Sequence, residues 1–289
     1  MQLLRADDLG TRPCSVGEPT AVLSIDVESD YSSRRYEALA RLGDFLGVVR
    51  RLDVPVTAFV EGQFFENRPA VCESLLEAGV DIQLHCYDHT KTGDDVADLA
   101  RSVDAYHRFV GRAPEGYRAH SCRLTAALAS ALIESGFKWD SSILPGLGYG
   151  GNPERRFRAG DYFVIGERLL EFPLATWRPI RIPLTHAYRA LLKRPGEAVF
   201  RRVCRYPQLL VYNTHMTDLV WTASLTTSPI PKVRKVLHAY KWGFNRSDSF
   251  GALERFVREV RSRGYRLRAM SDLYRDLAPA ARFAGAGAR

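Results

Sequence analysis

This sequence lacks several features that would indicate a secreted, disulfide-rich or membrane-spanning protein. Cysteine is sparse, with five residues among 289 and no CxxC pair, so neither a disulfide framework nor a structural zinc ribbon is expected. The scattered cysteines indicate free thiols in a reducing compartment. No run of about 18 apolar residues occurs, so no spanning helix is predicted. The N-terminus also lacks the basic and apolar segments of a signal peptide, and we therefore expect a cytoplasmic protein.

The composition is that of an ordinary globular chain. Hydrophobic residues make up 46% and charged residues 26%, which excludes disorder, collagen and coiled coil as the main state. No repeat of fixed period is visible. The length is compatible with two domains of ~150 residues each, but an α/β barrel of ~250 residues also forms one domain.

Positive charge is concentrated in two segments of the C-terminal half. Residues 178–207 hold eight Arg or Lys and one Glu, and residues 230–246 hold five Arg or Lys and no acid. Because the formal net charge is +8, the rest of the chain is net acidic. Such a local basic surface favours an anionic substrate group or membrane headgroups. No nucleic-acid motif accompanies the charge, so no nucleic-acid partner is expected.

The first basic segment interleaves apolar side chains with its charges. This pattern predicts two short amphipathic helices, broken at Pro195-Gly196, that rest on the headgroups of an anionic membrane. Peripheral contact with the inner face of the membrane would follow. The alternative is that these helices have solvated faces and simply pack against the rest of the fold.

Apolar, β-rich runs alternate with helical patterns along the chain. Predicted strands lie within residues 21–29, 54–62, 80–87, 116–121, 137–143, 161–177 and 207–215. Predicted helices cover residues 34–52, 69–79, 94–111, 124–136 and 249–264. This alternation predicts a parallel sheet, and its recurrence favours a closed or nearly closed barrel. We expect one barrel over residues 20–277 with an insertion at 178–207, an N-terminal extension (1–19), a loop (144–160) and a C-terminal tail (278–289).

Polar side chains collect where these predicted strands end. The set comprises Asp26, Glu28, His85, His89, Arg118, His120, Asp140, Glu171 and His215. In a barrel of parallel strands the C-terminal ends converge on one face, where active sites lie. Four of the seven histidines belong to this set, which marks it as the candidate site.

The spacing of His85 and His89 allows both imidazoles to reach one ion. A carboxylate from Asp26 or Glu28 would complete a site with open positions for water, which is typical of catalytic zinc. Two histidines at this spacing are by themselves more typical of a surface than of a metal site, and it is the acidic pair that favours the metal. Asp26 and Glu28 point to the same side of a strand, so one can hold the ion while the other accepts a proton. Asp30 is a further candidate ligand.

Two more residues have chemistry suited to such a site. Arg118 can pair with one of the acids and keep it ionised, whether as part of the mechanism or as a structural salt bridge. His215 can act as the general acid that protonates a departing amine. No function is assigned to His107, His186 or His238.

Five segments in order resemble the motifs of the polysaccharide deacetylase superfamily, also known as NodB-homology domains or carbohydrate esterase family 4. They read SIDVESD, QLHCYDHT, GYRAHS, KWDSSI and VYNTH. The first is similar to the intracellular branch with DVE or DVD, and LHxxDH resembles deformylases of lipid-linked amino sugars. The resemblance spans about residues 20–275. It implies a distorted (β/α)₇, TIM-like barrel, a divalent metal with zinc favoured, and hydrolysis of an N-acyl group from an amino sugar.

The resemblance also implies roles for individual residues. Asp26 corresponds to the catalytic base, Arg118 to the arginine that orients it, and His215 to the general acid. Glu28, His85 and His89 correspond to the metal ligands. The substrate contacts would be His120, Asp140, Glu171 and Trp177.

Three features depart from the family pattern. Glu28 is one methylene longer than the usual aspartate, which leaves Asp26 or Asp30 as alternative ligands. His120 replaces a proline. The residue that would tune His215 is not identified.

The sequence thus predicts a metal-dependent N-deacetylase, an amidohydrolase acting on C–N bonds other than peptide bonds. Its amino sugar would be carried on an anionic handle, either a lipid phosphate or a nucleotide, or lie within a glycan. One alternative is a non-sugar C–N hydrolase of the allantoinase or cyclic-imidase kind. The other is a catalytically inactive barrel that binds glycan.

Overall fold

The structure is a computed structural model that describes residues 12–90, 95–145, 161–178, 181–203, 205–243 and 249–286. Its strands are β1 (Arg12–Ser15), β2 (Thr20–Val27), β3 (Val56–Val60), β4 (Asp81–Leu84), β5 (Gly116–Tyr117), β6 (Trp139–Asp140), β7 (Asp161–Ile165), β8 (Leu169–Glu171), β9 (Thr176–Trp177), β10 (Ile182–Pro183), β11 (Leu209–His215) and β12 (Arg266–Leu267). Its α-helices are α1 (Leu42–Leu52), α2 (Gly62–Asn67), α3 (Pro69–Glu77), α4 (Asp95–Val110), α5 (Ala126–Glu134), α6 (His186–Val203), α7 (Met216–Leu219), α8 (Ser224–Thr227), α9 (Lys232–Gly243), α10 (Ser249–Ser262) and α11 (Met270–Ala286).

Seven strands form a parallel run in the order β8-β6-β5-β4-β3-β2-β11. β2 lies between β11 and β3, and its first two residues also pair with β12. Because the seven strands point the same way, their C-terminal ends meet on one face. An antiparallel pair, β7 and β1, extends the sheet beyond β8.

The two ends of the parallel run approach each other. The backbone amide of Ala175, just after β8, donates a hydrogen bond of 2.9 Å to the carbonyl oxygen of Val211 in β11. The architecture is therefore the mixed α/β type with a strongly parallel sheet that the alternation of strands and helices predicts, and it agrees with a distorted (β/α)₇ barrel.

The helices cover the sheet with apolar faces. In α10 the residues Leu253, Phe256, Val257 and Val260 recur at helical spacing and are buried. Thr125 caps the N-terminus of α5, and its hydroxyl accepts a hydrogen bond from the amide of Leu128. Within the described ranges, no helix is both long enough and apolar enough to cross a bilayer.

The prediction of two helices broken at Pro195-Gly196 is wrong, because α6 continues through both residues. A proline inside a helix removes one backbone hydrogen bond. The nearly buried Arg189 forms an ion pair with Glu197, and this contact joins the turns on either side of the proline. A second ion pair, to Glu259 of α10, fixes Arg189 on the body of the fold.

Several boundaries also differ from the sequence prediction. The helix expected over 34–52 begins at Leu42, after a 3₁₀ turn at Glu37–Arg41, and α2 was not predicted. The end of the predicted N-terminal extension forms β1, and α11 continues into the predicted tail. Most of the predicted loop, residues 146–160, lies outside the described residues, as does Cys204.

Candidate metal centre

Three side chains converge where β2 and β4 end. Glu28 follows β2, and His85 and His89 follow β4. Both Nε2 atoms face the same Glu28 Oε2, at 3.3 Å from His85 and 3.0 Å from His89. One ligand atom from each residue lies within 4.8 Å of the others. Two imidazoles and one carboxylate are a donor set suited to a divalent ion such as zinc, with coordination positions left open.

Hydrogen bonds orient the two imidazoles. His85 Nδ1 lies 2.5 Å from the carbonyl oxygen of Arg118, which can only accept, so Nδ1 carries a proton and Nε2 is the nitrogen that can bind an ion once it is deprotonated. His89 Nδ1 lies 3.3 Å from the hydroxyl of Ser32. The His89 ring also stacks on His120, with ring centroids 3.9 Å apart. Neither ligand ring is therefore free to rotate away from Glu28.

The electrostatics of this cluster favour a cation. Burial alone would lower the pKa of His85, but Glu28 and Asp26 raise it to about 9. Burial alone would raise the pKa of Glu28, yet His89, His215 and His85 hold it well below its usual range. A site that attracts a proton to His85 and keeps Glu28 ionised attracts a metal cation for the same reason.

Asp26 is held beside the cluster as a buried carboxylate. Its Oδ1 accepts a 2.7 Å hydrogen bond from Arg118 Nη1, and its Oδ2 accepts one of 2.8 Å from Asn213. Burial would raise the pKa of Asp26, but the charge of Arg118, assisted by His215, holds it far below its usual range. Arg118 also donates to Ser24, Asn213 and Ser141 and lies 3.8 Å from the centroid of Phe59.

His215 lies at the end of β11, beside Asp26. Its Nδ1 lies 3.0 Å from Asp218 Oδ2, and the same carboxylate oxygen accepts from the His215 backbone amide at 3.1 Å. The other ring nitrogen, Nε2, lies 3.3 Å from Asp26 Oδ2. Burial would lower the pKa of His215, but Glu28, Asp218 and Asp26 raise it well above its ordinary value.

A cavity of about 220 Å³ opens onto these residues. Asp26, Glu28, His85, His89, His215 and Asp218 all line it. Its rim includes two pairs of consecutive non-glycine residues with left-handed backbone, Tyr31-Ser32 and Ser121-Cys122. Such strained positions persist only where the surrounding structure fixes them, and they cluster at functional sites.

The remaining predicted site residues lie elsewhere. Asp30 is fully buried and accepts hydrogen bonds from the Ala38 amide and the Ser224 hydroxyl, so it is not part of the three-ligand cluster. His120 packs on His89. Asp140, Glu171 and Trp177 are fully buried, and none of them is among the residues that line the cavity. Substrate contact for these last four residues stays a prediction.

Two residues of the site were missed by sequence reasoning. Asn213 bridges Arg118 and Asp26, and Asp218 orients His215. The signal for Asp218 was present, because an acid three residues after a strand-end residue is the spacing of a helix N-terminal capping box. Asp218 indeed closes such a box at the start of α7.

The fold and the site together define a barrel-type α/β protein with a candidate metal centre at the C-terminal ends of its strands. The polysaccharide deacetylase family model matches residues 19–138, a range that includes Asp26, the three metal-ligand candidates and Arg118. A peptidoglycan deacetylase-like protein of Gibberella zeae is 27% identical over 124 residues, which cover 40% of this chain and 36% of that protein. A peptidoglycan deacetylase of Helicobacter pylori is 25% identical over 126 residues, which cover 41% and 42%.

These matches confirm the resemblance to the polysaccharide deacetylase superfamily over residues 19–138, which contain the first three of the five segments. The matched region spans about two fifths of each curated relative. Among solved structures, PuuE allantoinase aligns with a TM-score of 0.59 at 14% identity, covering 92% of both chains. That likeness concerns the fold alone and supports the predicted barrel. Membership of the DVE or DVD branch stays a prediction.

Proposed function

We propose that the chain is a metal-dependent hydrolase that removes an acetyl or formyl group from the nitrogen of an amino sugar. The observation that carries this proposal is the convergence of Glu28, His85 and His89 on one point of a cavity. Asp26 and His215 line the same cavity next to that point. The names of the two curated relatives support the deacetylase class.

The three-ligand cluster would hold a divalent cation, with zinc favoured by its two nitrogen donors and one oxygen donor. When bound, such an ion supplies Lewis-acid chemistry, which polarises a carbonyl group and lowers the pKa of water. Glu28 provides the negative charge of the ligand set. The chain's hydrogen bonds to His85 and His89 fix the direction of their Nε2 atoms before any ion arrives.

Asp26 is assigned as the proton acceptor. It is ionised, it lines the cavity, and Arg118 and Asn213 prevent it from turning away. Its place beside the metal cluster allows it to accept a proton from water that attacks the amide. Arg118 acts as a positioning residue, because it holds Asp26 from the side opposite the cavity and is itself fully buried.

His215 is assigned as the proton donor to the departing amine. Asp218 occupies its Nδ1 and so directs Nε2 towards the cavity. A proton on Nε2 would reach the nitrogen of a substrate whose carbonyl lies at the metal cluster. The products would be a free amino sugar and acetate or formate.

An anionic handle on the sugar, either a lipid phosphate or a nucleotide, is supported by the positions of the basic segments. Ala187 in the first turn of α6 and Ile230 just before α9 both line the cavity. The two segments that contain these helices carry the excess positive charge of the chain. A substrate bound in the cavity would therefore extend towards cationic helices.

Bound metal is the first test. Protein purified without added metal or chelator should contain about one divalent ion per chain by elemental mass spectrometry. His85→Ala and His89→Ala should each lose the ion and nearly all turnover, whereas His107→Ala, on the exposed side of α4, should retain both. Full metal content in both ligand variants would refute the assigned centre.

Substrate class is the second test. The metal-loaded chain should release acetate or formate from N-acetyl or N-formyl amino sugars, with derivatives carrying a phosphate handle turned over fastest. If only allantoin or cyclic imides are hydrolysed, the chain is a non-sugar C–N hydrolase and not an amino-sugar deacylase. A metal-loaded chain that binds glycan and hydrolyses nothing would be an inactive binding barrel.

A further inference from the structure

Helix α9 presents an apolar stripe to solvent. Val233, Val236, Leu237 and Tyr240 follow the spacing of one helix face, and all four are exposed, Val233 by 61% and Val236 by 66%. In a globular protein this spacing normally marks the face that packs on the core. Here it marks a face that the described part of the chain leaves open to water.

In helix α10 the same spacing of apolar residues faces the core. Its buried residues Leu253, Phe256, Val257 and Val260 have the same spacing as the α9 stripe, shifted by twenty positions. These residues are at most 2% exposed. The amphipathic pattern of α9 is therefore as regular as that of a core helix, but the described fold does not cover it.

Helix α6 extends this surface. It contacts α9, and its last two turns expose Val199 and Val203. Of the nine large hydrophobic side chains that are exposed in the described part of the chain, six lie on these two helices. We call the six exposed side chains on α6 and α9 the α6–α9 surface: Val199, Val203, Val233, Val236, Leu237 and Tyr240. Their concentration distinguishes them from the scattered apolar residues of an ordinary surface.

The surroundings of the α6–α9 surface are cationic. Arg201 and Arg202 on α6 and Lys232 on α9 are exposed beside the apolar residues. The segments that contain the two helices hold thirteen basic residues and one acid. Aliphatic and aromatic side chains flanked by Arg and Lys are the composition of helices that lie in the interface of an anionic bilayer. A protein partner would have to supply a comparably large acidic rim around an apolar groove.

The surface also adjoins the cavity. Ile230, three residues before Val233, lines the cavity, and so does Ala187 in the first turn of α6. A bilayer in contact with the α6–α9 surface would therefore lie close to the mouth of the candidate site.

We propose that the α6–α9 surface docks the chain on an anionic lipid bilayer. Apolar side chains enter the headgroup boundary, and the flanking Arg and Lys side chains contact lipid phosphates. This inference does not depend on the hydrolase activity proposed above, because binding is measured without turnover.

The test is co-sedimentation of the full chain with vesicles. Vesicles of phosphatidylcholine containing about 30% phosphatidylglycerol should bind the chain at low salt, whereas pure phosphatidylcholine should bind it weakly. The double variant Val236→Asp/Leu237→Asp should lose about tenfold or more of this affinity. The matched control is Leu76→Asp/Val96→Asp on α3 and α4, because Leu76 and Leu237 are both 42% exposed.

Retained binding in the control and loss in the α9 variant would support the proposal. Absence of binding to anionic vesicles at low salt would overturn it, and so would an equal loss in both variants. Self-association of the wild type that only the α9 variant abolishes, without vesicle binding, would identify the surface as a contact between copies and would also overturn it. Circular dichroism of both variants shows whether the fold is intact, and bound metal shows whether the candidate site is intact. A loss of vesicle binding with both unchanged is then due to the altered surface.

Discussion

Two pairs of carboxyl groups with little or no solvent exposure lie at strand ends in this fold, and their pKa values are shifted in opposite directions. Asp26 and Glu28 at the end of β2 have pKa values well below the usual range. Asp140 of β6 and Glu171 of β8 have raised pKa values. Burial is the largest influence on all four and raises the pKa in each case.

The neighbours of each pair account for the difference. Asp26 and Glu28 face Arg118 and three histidines, whose positive charge outweighs the cost of burial. Asp140 and Glu171 face each other and accept hydrogen bonds from the amide and hydroxyl groups of Ser142 and the amide of Ile143. The charge of Arg118 also lowers the pKa of Asp140, but by less than burial raises it. Two carboxyl groups in contact share a proton rather than ionise together. The comparison shows that burial makes the ionisation of a strand-end acid costly. Ionisation is favoured where the cationic neighbours lower the pKa by more than burial raises it.

Removal of Arg118 takes away the main cationic neighbour of Asp26, and it should have the largest effect on stability. Arg118→Met leaves the buried carboxylate of Asp26 without its main counter-charge, and we expect the free energy of unfolding to fall by about 3–5 kcal/mol. Urea denaturation measures the loss. Arg123→Met, which removes an exposed arginine nearby, should have little effect.

A double variant tests whether the unpaired charge of Asp26 causes this loss of stability. Arg118→Met/Asp26→Asn removes both charges and should recover part of the lost stability, because a neutral amide is less costly to bury. If the double variant is no more stable than Arg118→Met, the loss reflects packing rather than the unpaired charge.

Substitution of Asp218 tests the residues around the ionised pair, because Asp218 contacts His215. Asp218→Asn keeps the size of the side chain but removes the carboxylate that holds His215 Nδ1. We expect kcat for the proposed deacylation to fall by about 10- to 100-fold with little change in KM. Asp44→Asn, on the exposed face of α1, is the control. An unchanged kcat with normal folding would remove Asp218 from the positioning role.

Neutralisation of Glu171 would test the protonated pair and should have the smallest effect. The pKa of Glu171 is raised well above its ordinary value of 4.5, so the folded chain retains a proton that the unfolded chain releases. Its contribution to stability is therefore complete below about pH 4.5 and is lost as the pH rises towards the folded pKa. Above pH 4.5, each pH unit can cost up to about 1.4 kcal/mol of unfolding free energy.

The variant Glu171→Gln should therefore lose less stability than the wild type between about pH 5 and pH 8. Thermal unfolding at several pH values measures this slope. Glu134→Gln, an exposed acid of α5, should behave like the wild type. Equal slopes in Glu171→Gln and the wild type would show that Glu171 is ionised in the folded chain.

Sequence reasoning selected the three residues of the candidate metal cluster because a parallel sheet restricts where strand ends can lie. Glu28, His85 and His89 each follow an apolar strand, and the topology brings them within 4.8 Å of one another. The choice of Glu28 over Asp30 depends on local geometry that spacing does not show. Asp30 turns into the fold to hold Ala38 and Ser224.

Other features could not be predicted from periodicity. The continuity of α6 depends on an ion pair between Arg189 and Glu197, which only the folded helix brings together. Asp140, Glu171 and Trp177 follow the same strand-end pattern as the cavity residues, yet all three are fully buried. Strand position alone does not distinguish a side chain that faces the cavity from one that faces the interior.

The position of β2 has a consequence for the order in which the molecule can assemble. Its neighbour β11 comes from much later in the chain, and the contact between Ser24 and Asn213 joins residues 189 positions apart. Pairing across such a separation is slow because the intervening loop must close first. Until β11 arrives, one edge of β2 is an open template for other chains, and Asn213 cannot yet bridge Arg118 to Asp26. The three metal-ligand candidates all precede residue 90, whereas the surroundings that make them a site are completed only by the C-terminal half.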